Sequence, residues 1–359
     1  MKIERIETYQ VSRPMKTKLK SSIVTIENME FALVKVEAEG LAGLGVTMSF
    51  SRGQTTAIRK LIEDFSASLV GKEVEAVGKL WNEMQVFTQG IGGHTGMPVQ
   101  AWSAIDTALW DLTAKEAKLP LYKLLGAYRD SVPVYGSGGF LVPIEQVIEE
   151  ILSFQEQGYG HFKMKVGSND WREDLRRVEA VRRAVGDGFD IMVDANQKWN
   201  VKHTLFMAPR LEELGVRYLE EPLPTQHYEG YRKVCNNTSL CIVAGESQFG
   251  LRENFQMMRM GCVDILNPDM PRCGGITQYM QVCAVANAFN IPVYSHTCTE
   301  INMHLMAAAP TGGIAEYLPD WGGEIFAEKP DIRNGVMYLN DRPGLGLTFN
   351  QETIKKYGV

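Results

Sequence analysis

Asp194 in IMVDANQ, Glu220 in VRYLEEP and Glu246 in IVAGES stand at equal intervals of 26 residues, each at the end of a short β-branched or apolar run. That interval is about one strand, one helix and two short loops, so the three acids fall on the ends of successive strands. In a parallel barrel those ends meet, and three carboxylates brought together repel one another unless a cation neutralises them. Ligation by oxygen alone, without His or Cys, suits a hard divalent ion, and Mg2+ is the expected cofactor.

Other strand ends carry charge as well. Lys163 and Lys165 close the run HFKMKVG, and a strand period of two puts both ammonium groups on one face with Met164 on the other. Asp269 ends VDILNPD, His296 ends IPVYSH and Glu316 lies in IAEYL. Taken singly, each has an ordinary reading: a solvated edge, a turn former or helix cap, a satisfied core histidine. Glu220 and its neighbour Glu221 point to opposite faces of a regular strand, so one is a ligand and the other is expected to make a salt bridge or cap a loop. Charges on successive strand ends whose interiors are apolar argue for one joint site.

The elements that must position these groups follow from periodicity. From Val132 onward, eight strand-like runs (VPVYGS, HFKMKVG, DIMVDAN, VRYLEEP, CIVAGES, VDILNPD, IPVYSH and IAEYL) alternate with amphipathic stretches such as 144–157, 170–185, 201–214, 249–260 and 275–289. Eight βα-type repeats close a TIM-type barrel. The first 130 residues read instead as strands near 3–11 and 30–39 followed by helices around 55–69, 74–87 and 98–117, an α+β unit. The expectation is an α/β chain: an N-terminal α+β capping domain over 1–130, a catalytic barrel over 131–320, and a segment over 321–359 that packs back on the capping domain.

Composition bounds the partners. A chain of 359 residues with net charge −6 has no basic footprint for nucleic acid, and no apolar run approaches the roughly 20 residues of a membrane span. The start, MKIERIETYQV, lacks a signal-peptide core, which makes the expected location cytoplasmic. Its six cysteines contain no CxxC pair and read as reduced packing residues. A small-molecule substrate is favoured.

Taken together, KMKVG, VDANQKW, LEEP, GES, NPDMPRCGGIT and the SH before TCTE resemble the motif series of the enolase superfamily, mandelate racemase subgroup, over essentially the whole chain. The resemblance implies a (β/α)7β barrel, with Asp194, Glu220 and Glu246 holding Mg2+. It implies Lys165 as acid/base on one face of the substrate and His296, held by Asp269, on the other. Lys163 and Glu316 match positions that contact the substrate carboxylate, and Asn196 and Ser137 match positions near substrate oxygens. A homo-oligomer, dimer or octamer, is implied as well. On this reading Lys165, near Lys163 and the metal, should have its pKa pushed down toward about 7–8, and Glu316 should be protonated and donate a hydrogen bond.

Proton abstraction next to a carboxylate leads to racemisation or epimerisation if a proton returns, or to dehydration if a 3-hydroxyl leaves. The segment PMKTKLKSSIVTIE, over 14–27, reads as a long polar lid in which Lys16, Lys18 and Lys20 alternate, and 47–53 reads as a second lid with Ser49, Ser51 and Arg52. A basic, hydroxyl-bearing lid suits a polyhydroxylated, doubly anionic substrate. QAWSAIDTALWDL and LGAYRDSVPVYGSGGFL are similar to acid sugar dehydratases. The expected activity is therefore dehydration of an aldarate or aldonate, such as galactarate or talarate, to a 2-keto-3-deoxy acid; the alternative is a racemase or epimerase of a 2-hydroxy acid.

Overall fold

The computed structural model describes residues 1–322 and 324–359; the side chains of Lys16, Thr17, Ile91 and Asp320 lie outside the described residues, and with Lys16 one of the three lid lysines. The chain opens with an antiparallel sheet of β1 (Arg5–Lys20), β2 (Thr25–Ala38) and β3 (Leu41–Ser49), in that order. Helices Arg52–Leu69 and Met97–Glu116 cover it, and Val77–Thr88 packs against Met97–Glu116. The sequence pattern had left out β3, because Gly43 and Gly45 interrupt its alternation. Those glycines let helix Met97–Glu116 lie directly on the strand. A methyl at Gly45 would fall 1.8 Å from the carbonyl oxygen of Ala104, and one at Gly43 1.9 Å from that of Ala108. Backbone cannot move aside as a side chain can. Gly45→Ala is expected to destabilise the fold by about 2–3 kcal/mol, read from the denaturation midpoint, whereas Gly53→Ala, with open space around it, should stay within about 0.5 kcal/mol.

The expected long loop over 14–27 is instead the outer end of the β1–β2 hairpin, with a register shift between Pro14 and Leu19. Lysines and a proline hide the strand pattern there, yet the backbone still pairs Leu19 with Ile26 and Lys20 with Thr25. Its turn is closed by Ser21, whose hydroxyl accepts from the N–H groups of Ile23 and Val24. The second expected loop, 47–53, is likewise the end of β3 followed by Ser51 as helix N-cap.

Parallel strands β4 (Ser131–Ser137), β5 (His161–Lys165), β6 (Asp190–Asp194), β7 (Tyr218–Glu220), β8 (Cys241–Ala244) and β9 (Ile265–Leu266) pair in sequence order, and β10 (Ala315–Tyr317) pairs in parallel with β4. The expected seventh stave, IPVYSH, is held only by single bridges, Leu266–Val293 and Asp269–His296 on one side and Val293–Gly312 on the other. Pro292 has no N–H to give, and the Ser295 hydroxyl rather than its backbone takes the N–H of Glu316, at 3.1 Å. Between the staves lie amphipathic helices, including Trp171–Val185, capped by Asp170, and Val201–Glu213, capped by Asn200. All six cysteines are free. Among the described residues, no helix is long and apolar enough to cross a membrane.

The tail divides between the two sheets. Hairpin β11 (Asp331–Arg333) and β12 (Val336–Tyr338) pairs antiparallel with barrel strand β4, while Gly344 bridges Pro120, Leu345 donates its N–H to Asp111, and the final helix, Gln351–Tyr357, packs on β1 with Gly358 bridging Val11. His304 ties this tail down: its Nδ1 accepts from the N–H of Tyr122 at 3.4 Å and its Nε2 lies 3.1 Å from the carbonyl of Leu345. Burial pushes its pKa down to about 4. A base with a depressed folded pKa contributes stability that is complete above its ordinary pKa of 6.5 and is lost as pH falls toward 4. The wild type is expected to lose about 3 kcal/mol more than His304→Gln over that window, measured as unfolding free energy at stepped pH.

Candidate active site

Asp194 closes β6, Glu220 closes β7 and Glu246 lies two residues past β8, so register alone brings them to one rim. All three are buried, with ligand oxygens within 4.8 Å of one another. The chain supplies counter-charge to each. Lys163 Nζ lies 2.8 and 2.9 Å from the two oxygens of Glu220, Lys165 pairs with Asp194, and His296 Nε2 is 3.2 Å from Glu246. Asn196, in the left-handed region at φ 44°, donates from its backbone and amide nitrogens to Asp194, while its Oδ1 is buried without a partner among the described residues. Three carboxylate donors with no nitrogen or sulfur donor fit Mg2+.

Neighbouring Glu221 shows how the strand resolves two adjacent acids. Its backbone turns to φ 36°, and its carboxylate accepts from Gln197 Nε2 at 3.0 Å. Of the salt bridge or loop cap expected of it, Glu221 takes the second, holding Gln197 in the loop after β6, and burial raises this carboxyl to about 8.

Two electrostatic expectations are corrected. Burial lowers the pKa of Lys165 most, but Asp194, Glu220 and Glu246 together outweigh it and the net shift is upward. The attraction of an adjacent carboxylate exceeds the repulsion of Lys163. Glu316 is likewise an anion rather than a donor. Burial pushes its carboxyl up, but Lys163 at 2.8 Å and then His296 hold it down to about 2, and its other oxygen accepts from the N–H of Thr297 at 2.8 Å. Lys163, 1% exposed, also lies 5.5 Å from the centre of the Tyr135 ring.

Across the rim, His296 Nδ1 is 2.8 Å from Asp269 Oδ2, which also accepts from Thr297 Oγ1 at 3.1 Å. Burial lowers the imidazole pKa, and Glu246 and Asp269 raise it further, leaving it above its ordinary value. Asp269 Oδ1 caps the short helix Met270–Cys273 through the N–H of Arg272. The same carboxylate thus orients the ring and is itself held by a helix end. Lys165 stands on the second stave and His296 on the seventh, with the triad's staves between them on one side of the ring.

A cavity of about 340 Å3 opens over this rim, bounded by Lys165, Asn196, Glu246 and His296 below. Its size suits a small ligand. The expected substrate-binding residues divide. Asn196 lines the cavity; Ser137, buried with its hydroxyl unpartnered among the described residues, lines a neighbouring cavity of about 220 Å3 across Phe140 and Trp321. Lys18 and Lys20 line neither. Lys18 is exposed and paired with Glu27 at 2.5 Å, and Lys20 is exposed on the outer face of the hairpin. Their alternation is that of a strand's solvent face. Arg272 was overlooked: it lines the cavity and donates from Nη1 to the carbonyl of Glu246 at 3.0 Å. Its position three residues beyond Asp269, one helical turn, was the available signal.

Comparison with known proteins places these features in context. Residues 5–126 match the family model "Mandelate racemase / muconate lactonizing enzyme, N-terminal domain", and residues 146–353 match "Enolase C-terminal domain-like". L-talarate/galactarate dehydratase of Salmonella typhimurium is 36% identical over 327 residues, 90% of this chain and 82% of that protein. The 3,6-anhydro-alpha-L-galactonate cycloisomerase of Streptomyces coelicolor is 32% identical over 362 residues, 99% of each chain. A crystal structure of the Salmonella dehydratase, liganded with Mg and L-lyxarohydroxamate, aligns with TM-score 0.95 and 32% identity over 100% of this chain and 93% of that one.

Proposed function

Because the chain belongs to the mandelate racemase/muconate lactonizing enzyme family of the enolase superfamily, we propose that it is a Mg2+-dependent acid sugar dehydratase acting on an aldonate or aldarate. One observation carries the reading: a buried carboxylate triad lies between Lys165 on one stave and the His296–Asp269 pair on another. The likeness to an acid sugar dehydratase across 90% of the chain supports the choice of leaving group.

The α-hydrogen of a carboxylate is a poor acid, because its loss puts a second negative charge on an anionic group. Mg2+ held by Asp194, Glu220 and Glu246 supplies positive charge that offsets this developing charge. Lys163, kept cationic by Glu220 and Glu316 against the opposing effect of burial, adds to it at the substrate carboxylate. Of Lys165 and His296, one takes the C2 proton as neutral base and the other, protonated, faces the opposite side of the substrate and gives its proton to the 3-hydroxyl. The C2–H and C3–O bonds break, water leaves, and the enol tautomerises to a 2-keto-3-deoxy acid. Asp269 fixes the imidazole tautomer. Asn196 Oδ1, without a partner among the described residues, accepts from a substrate hydroxyl.

A second reading, racemase or epimerase, draws on the same paired bases, since returning a proton to the far face also needs a group on each side. Incubation of sugar acids with enzyme and Mg2+ separates them. Dehydration yields a semicarbazide-reactive keto acid; racemisation yields deuterium at C2 with no keto product.

A further inference from the structure

We infer that the substrate's end remote from the reacting carboxylate is uncharged and apolar, which makes it a monocarboxylic, methyl-terminated sugar acid (a 6-deoxyaldonate) rather than an aldarate; this rests on the sugar-acid reading above. The cavity has two unlike walls. Its floor carries the charged groups already described, while its roof consists of Ile23, Val24 and Ile26 from the hairpin, with Phe50, Phe140 and Trp321. The three rings form one cluster: Trp321 stacks on Phe140 at 6.5 Å and meets Phe50 edge-on at 6.1 Å. They come from the capping domain, the barrel and the tail, so the roof is assembled by the fold as a whole.

Polar groups of the lid are committed elsewhere. The Ser21 hydroxyl accepts two N–H groups of its own turn, Ser22 donates to the carbonyl of Ala195 at 2.9 Å, and Ser49 lies 2.6 Å from the Thr55 hydroxyl. Among the described lid residues, none presents a cation to the cavity: Lys18 pairs with Glu27 and Lys20 faces out. Arg272 belongs to the floor, bonded to the carbonyl of the metal-ligand residue Glu246. A second carboxylate at the roof would leave water without a partner, whereas a methyl group gains contact with Ile23, which is 61% exposed at the hairpin tip.

The test compares 6-deoxyaldonate, aldonate and aldarate of matched C2–C5 configuration, across the galacto, gluco and manno series, with the full chain and Mg2+. Both C2 deuterium exchange and keto acid formation are read. The expected order of kcat/KM is 6-deoxyaldonate, then aldonate, then aldarate, with about 100-fold or more between the ends. An aldarate equal to or better than its 6-deoxy counterpart overturns the inference while leaving the sugar-acid reading intact; exchange with none of the acids overturns both. Ile23→Lys should move the preference toward the aldarate by at least about tenfold, and an unchanged ratio counts against the inference.

Discussion

Lys165→Ala is expected to lower kcat/KM for dehydration by about 10^3–10^4-fold, the loss of one general acid–base group. His296→Asn should do the same, and the double variant should be little worse than either single one, because both groups act in one reaction sequence. The expectation follows from placement. Lys165 is held by Asp194 and His296 by Asp269 and Glu246, each on its own stave. Asp269→Asn leaves the imidazole in place but removes the anion that selects its tautomer, and a smaller loss, about 10–100-fold, is expected. If Lys165→Ala turns over sugar acids at wild-type rate, the lysine is only a counter-charge for Asp194.

Chelation of Mg2+ has the second large effect: turnover should fall below detection and return on adding Mg2+, while Tm moves by only a few degrees. This pairing of outcomes comes from the counter-charges within the chain. Glu220 has Lys163, Asp194 has Lys165 and Glu246 has His296, so the acids are not held together by an external ion alone. A barrel that used its carboxylates only for a structural metal would show the reverse, with a large loss of Tm. Glu246→Gln should mimic chelation kinetically without restoration by about tenfold more Mg2+.

Much of this architecture was legible in the chain, for reasons that differ by element. The barrel staves stood out because most are short apolar runs with a charged residue at or near the end, and the pairs His161 with Asp190 through Lys165 with Asp194 follow that pattern in register. The triad was legible because its spacing repeats. β3 was not, since Gly43 and Gly45 serve contact with a helix distant in sequence. The hairpin lid was misread because Lys18 and Lys20 describe its solvent face, while its inner face, Ile23, Val24 and Ile26, looks like an ordinary apolar segment. Ionisation states were out of reach for a different reason. Glu316 is an anion because Lys163, 153 residues earlier in the chain, lies 2.8 Å away, and only the pairing of β10 with β4, itself paired with β5, creates that proximity.

The opposed-base arrangement is tested most directly by following deuterium incorporation at C2 for both C2 epimers of one sugar acid, in Mg2+ and D2O, with the two single variants. The account predicts that Lys165→Ala loses exchange of one epimer and keeps the other, and that His296→Asn shows the complementary pattern. Loss of the same epimer in both variants, or retention of both epimers in either, would contradict it.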